Sequence, residues 1–173
     1  MEPEQIAISI LTIAMSGVVS GVVTFRLNAK RDSRQLRRQK LESLFQAFNG
    51  YVTQLGSHWI PHMAVMAGKI DYNAALDMTA KGATVEPRHF ETLEMLVAIY
   101  FPELQGHLDR LLTLRKRAND ILEQHKSVCR ESGPHDGSRS LSMMRAASTE
   151  LDKLEEDFRV AIRAEAAKLN REV

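Results

Sequence analysis

Ile6 to Phe25 reads IAISILTIAMSGVVSGVVTF, twenty consecutive residues without a charge. At about 1.5 Å per residue a helix of that length extends roughly 30 Å, the hydrocarbon thickness of a bilayer. Ten of the twenty are Ile, Leu, Val or Phe, which together favour insertion by roughly 3 to 6 kcal/mol, partly offset by the Ala, Met, Gly, Ser and Thr between them. The stretch predicts a retained membrane-spanning helix, and it sets where the remaining residues are expected to sit.

Its flanks predict a direction. Glu2 and Glu4 precede it without a Lys or Arg, whereas Arg26, Lys30, Arg31, Arg34, Arg37, Arg38 and Lys40 follow against the single Asp32. Basic flanks stay on the cytoplasmic side, so the expected topology is a single pass of the inner membrane with the N-terminus outside. A cleaved signal peptide places its charges before a shorter apolar core, the reverse of this order. The seven basic residues are expected to fix topology and to meet anionic lipid headgroups, at about 1 kcal/mol each. Ala14, Gly17, Gly21 and Thr24 form a small-residue face containing one G-x-x-x-G, the pattern that lets spanning helices pack closely, so a homo-oligomer or a partner protein is expected alongside lipid.

The expected domains are an anchor over 1–25, a basic juxtamembrane segment over 26–40 and a cytosolic domain over 41–173. The last contains sixteen basic and nineteen acidic residues; a basic run placed directly after a span is read as a topology signal, and no nucleic acid is expected. The single cysteine, Cys129, cannot form a disulfide within the chain.

Apolar spacing of three and four predicts helices nearly throughout, giving an all-α fold: a spanning helix and a bundle of about four main helices. Leu36, Leu41, Leu44, Phe45, Phe48, Val52 and Leu55 mark the first face. Gly56 predicts a stop, Pro61 a short helix ended by Gly68, and Asp71 the cap of another closed by Gly82. Glu86-Pro87 predicts the start of a strongly apolar helix, broken at Tyr100-Phe101-Pro102. A long helix then reaches about Val128, and ESGPHDGSRS, 131–140, reads as a loop. The last helix, 141–171, carries Met144, Ser148, Leu151, Leu154, Phe158, Ile162 and Leu169 on one face. Its Leu-rich seam has coiled-coil character, but an intramolecular bundle is the commoner outcome at this length.

Catalytic chemistry finds little support. His58 and His62 share the i, i+4 spacing of two metal ligands, but no Glu follows His58 and Pro61 lies between them. Glu86 and His89 are the only E-x-x-H, with Pro87 inside it, where a carboxylate metal site in a bundle needs two. Phosphate-cradling, dinucleotide and nucleophile-elbow motifs are absent. No enzyme, metal or cofactor is therefore expected. Arg110, Arg115, Lys116 and Arg117 are expected to face the acidic stretch near Glu155.

The phrase LEMLVAIYFPEL, Leu93 to Leu104, behind a single span and a basic collar, resembles small bacterial membrane-anchored helical proteins, some of which accompany mobile elements or antiviral systems. That resemblance implies an anchored scaffold or regulatory subunit acting through protein–protein contacts. The alternative is an oligomeric effector that permeabilises the membrane, motivated by Ser9, Thr12, Ser16, Ser20 and Thr24 along the span.

Overall fold

The structure is a computed structural model that describes residues 3–82, 88–132 and 136–171, with side chains at 24–80, 88–131 and 136–171. Its elements are α1 (Pro3–Met66), α2 (Tyr72–Gly82), α3 (His89–Tyr100), a 3-10 turn (Pro102–Leu104), α4 (Gln105–Ser132) and α5 (Ser138–Arg171). The all-α expectation holds, with five α-helices among the described residues.

The membrane expectation is corrected. Among the described residues no helix is long and apolar enough to cross a membrane. Ile6–Phe25 does not end as an element of its own: its backbone is the beginning of a helix of 64 residues that continues through the charged run to Met66. The side chains of 1–23 lie outside the described residues, and with them the packing face expected at Ala14, Gly17 and Gly21. The single-pass inner-membrane topology, the lipid partners, the anchored form of the scaffold and the permeabilising alternative all required that span, and none is retained.

The chain divides into two units, Met1–Gln39 and Lys40–Val173. In the first, the side chains described, from Thr24 onward, are exposed apart from a half-buried Arg34.

The second unit is built on one apolar core. From α1 it takes Leu41, Leu44, Phe48, Tyr51, Leu55, Trp59 and Met66, at the three- and four-residue spacing of a single helix face. The stop expected at Gly56 does not occur, because this stripe runs on past it. A helical glycine costs about 1 kcal/mol and a proline about 3, whereas each large apolar side chain fully buried contributes about 1.5 to 3. Trp59 and Met66, 1% and 4% exposed, thus outweigh Gly56 and Pro61, and Pro61 lies inside the helix.

Gly68 does end α1. With φ +66° it lets its own N–H reach the Val65 carbonyl at 2.8 Å and the Lys69 N–H reach that of Ala64 at 2.9 Å, the paired bonds that close a helix through a left-handed residue. Asp71 caps α2 as expected, its carboxylate accepting from the Ala74 N–H at 2.7 Å. The break before Pro102 is also found: α3 ends at Tyr100, and Phe101, buried in the core, turns the chain into the 3-10 turn. Pro87 falls outside the described residues.

Helices α4 and α5 pack extensively on one another, contributing Leu108, Leu111, Leu114, Ala118 and Ile121 from one and Met144, Leu151, Leu154 and Phe158 from the other to the shared core. Two of the four basic residues of α4 expected to face the acidic side of α5 do so. Arg110 meets Asp157 at 3.2 Å and Arg117 meets Glu150. Such exposed pairs contribute no more than about 1 kcal/mol each; the shared apolar seam holds the helices together.

Candidate binding sites

The collar residues Arg26, Lys30, Arg31, Arg37 and Arg38 are exposed, as is Thr24, while Arg34 and Lys40 are half-buried. Lys40 belongs to the second unit, where its ammonium sits 5.5 Å from the centroid of the Tyr100 ring. Two concave surfaces of the second unit gather polar and apolar groups.

The first is a groove of about 530 Å³ between the end of α1 and the start of α5. Ile60, Met63, Ala64 and Ala67 form one wall, and Leu141, Arg145, Ser148 and Thr149 the other; both sets follow the i, i+3 or i+4, i+7 rhythm of a helix face. Lys69 stands at the α1 end of the groove. The apolar side chains are not sealed away, Ile60 being 60% exposed. The walls are held close by Gly137: a Cβ there would lie 2.5 Å from the Met66 carbonyl oxygen and 2.9 Å from its Cα.

The second is a cleft of about 620 Å³ on another part of α1. Tyr51, Gln54, Leu55 and His58 supply one side, Arg115 and Asn119 of α4 another, and the first residues of α3, His89 and Phe90, a third, with Thr79 of α2 at the edge. Arg115 is the centre of this arrangement. Its Nη1 donates to the Tyr51 hydroxyl at 2.9 Å, and its guanidinium carbon lies 5.1 Å from the centroid of the Phe90 ring, a cation–π distance. Burial pushes the Tyr51 phenol up, opposed by the Arg115 hydrogen bond and charge. Gly50 lets α3 approach, since a Cβ there would fall 2.5 Å from the His89 ring.

Arg115 and Lys116 were expected to face the acidic stretch of α5 with their neighbours; Lys116 instead pairs with Asp120 of α4 itself, and Arg115 turns to α1 and α3. In the heptad-like sequence it looks like any surface arginine. The only hint of a close approach was Gly50, an isolated glycine inside a helical pattern.

The His58 and His62 rings lie 5.1 Å apart, edge to face, and His62 also faces Tyr72 at 5.9 Å. Cys129 Sγ is 3.6 Å from His125 Nε2. Among the described residues no group of three or more His, Cys, Asp or Glu side chains is placed to hold a metal ion. Burial holds both His58 and His62 below the ordinary histidine pKa of 6.5, and for His62 the charges of His58, Lys126 and His125 act in the same direction against a smaller opposing effect of Glu123.

Stability therefore depends on pH through His58 and His62 together, with more effects acting on His62. Below about pH 6.5 the unfolded chain takes up the proton that the folded site resists, so the unfolded state binds more protons and the fold weakens. The midpoint temperature is expected to be level above pH 7 and to fall on acidification below 6.5. His62→Gln should flatten this dependence in part; a variant with the unchanged slope would assign the effect elsewhere.

Neither concave surface can be named by kinship, for no protein-family model, curated protein or solved structure matches the chain, and the resemblance read into Leu93–Leu104 is corrected accordingly.

Proposed function

We propose that the chain is a non-catalytic protein-interaction scaffold whose helical bundle docks an acidic, amphipathic segment of a partner protein in the groove between α1 and α5. The observation that supports this reading is the groove's composition: an apolar floor left open to solvent, framed by Lys69 and Arg145, with no carboxylate among the described residues that line it. Apolar side chains at helical spacing on both walls suit an occupant that inserts its own apolar stripe. The two cations then pair with acidic residues on the occupant's flanks, which raises the association rate and selects partners by charge. Both walls are already helical and tied together at Gly137, so little ordering energy is spent on binding.

Peptide display on the full-length chain tests this. Acidic peptides with apolar residues at helical spacing are expected to be enriched. Ile60→Asp should weaken their binding at least tenfold and Arg145→Glu several-fold, while Val160→Asp, an equally exposed change on the far part of α5, should have no effect. Enrichment of basic peptides, or binding that survives Ile60→Asp, would overturn the proposal.

A further inference from the structure

We propose that the cleft lined by Arg115, Tyr51 and Phe90 binds a small organic carboxylate with an apolar body. Arginine keeps its charge under all ordinary conditions, and partial burial of that charge is costly unless an anion or several acceptors offset it. The neighbouring cations of α4 each have an acidic partner: Arg110 has Asp157, Lys116 has Asp120 and Arg117 has Glu150. Arg115, half-buried, pairs with no carboxylate among the described residues; its partners are a phenol oxygen and a ring face. Among the described residues no Asp or Glu lines the cleft.

The way Arg115 is held suits recognition. The Tyr51 hydroxyl uses one of the five guanidinium N–H donors and the Phe90 ring supports the plane, leaving donors for the forked grip that a carboxylate accepts. At the same wall α3 begins at His89, and Arg88 before it makes no side-chain cap hydrogen bond. The N-terminal end of α3 adds positive potential at this wall.

The accompanying groups narrow the ligand. Arg115 is the only Lys or Arg among the described residues that line the cleft, and partial burial lowers the His58 pKa below its ordinary value, which favours a single negative charge over a polyphosphate. Phe90 and Leu55 offer apolar contact, while Gln54 and Asn119 offer neutral hydrogen bonding. The volume of about 620 Å³ falls within the usual span of small-molecule pockets, about 300 to 1,000 Å³.

The test uses 4-fluorobenzoate and 4-fluorophenylacetate as probes, followed by fluorine NMR on the full-length chain. At least one should bind saturably, and the corresponding uncharged amides should not. Arg115→Met is expected to weaken binding at least tenfold. Because that change also removes the Tyr51 link, Asn119→Asp provides a second variant: Asn119 is exposed, so the fold should survive, yet the new carboxylate beside Arg115 should weaken binding at least tenfold as well. Ile60→Asp, in the separate groove, should bind the probes like wild type. Absence of saturable binding, equal binding of the amides, unchanged affinity in Asn119→Asp, loss in Ile60→Asp, or inorganic phosphate competing as an equal would each overturn the assignment.

Discussion

Phe158→Ala is expected to lower the stability of the bundle by about 3 to 5 kcal/mol, the usual cost of truncating a fully buried phenylalanine. Phe158 is 1% exposed. Its ring stacks on Phe48 of α1 with centroids 4.3 Å apart and planes 14° from parallel, and His107 of α4 meets it edgewise at 5.8 Å. One side chain thus joins three helices, and its removal leaves a cavity that none of them can close alone. Against a total stability of about 5 to 15 kcal/mol for a domain of this kind, the midpoint temperature should fall by about 10 °C or more. Urea unfolding followed by circular dichroism measures the loss, with Val160→Ala, at a 53% exposed position, expected to stay within about 0.5 kcal/mol. A change below 1 kcal/mol for Phe158→Ala would mean that α1 does not pack on α5 as described.

Gly137→Ala should cost about 2 to 3 kcal/mol although it adds a single methyl group. The atoms that methyl would strike are the backbone oxygen and Cα of Met66, which cannot swing aside as a side-chain tip can, so the start of α5 must move away from the end of α1. The same displacement widens the groove at Ile60 and Leu141, and docking of the selected acidic peptides should weaken in step. Gly56→Ala is the informative contrast. A Cβ at Gly56 meets nothing within 4 Å, and alanine favours the helix by up to about 1 kcal/mol, so this variant should be at least as stable as wild type. Equal behaviour of the two alanine variants would remove the close contact at Gly137 as the feature that sets the groove.

Local patterns in the sequence carried much of the bundle. The apolar rhythm of α5, the Asp71 cap, the Gly68 stop and the break at Phe101-Pro102 each depend on residues within about one helical turn, and each is found. Gly56 and Pro61 misled because propensity is a local quantity, whereas Trp59 and Met66 are buried in a core whose other members lie far along the chain. The uncharged run at Ile6–Phe25 misled for another reason: length and apolarity specify what a segment is able to do in lipid, and they do not by themselves make it a span. Neither concave surface was legible. Arg115 and Tyr51 are 64 residues apart, and the groove needs Gly137 to bring Met66 close. Such pairings are set only when the helices are placed, and no spacing rule reaches across that distance.

The side chain of Asn49 accepts a hydrogen bond from Arg159, 110 residues later in the chain, near the point where Phe48 meets Phe158. On the ribosome α1 is therefore finished long before anything exists to cover its apolar stripe. The adjacent pair α4 and α5, joined by a short connection, has the low contact order that allows early closure, so α1 must dock onto a hairpin made last. Until that docking Phe48, Trp59 and Leu44 lack the partners that bury them in the core, and transiently exposed apolar surface of this kind favours aggregation.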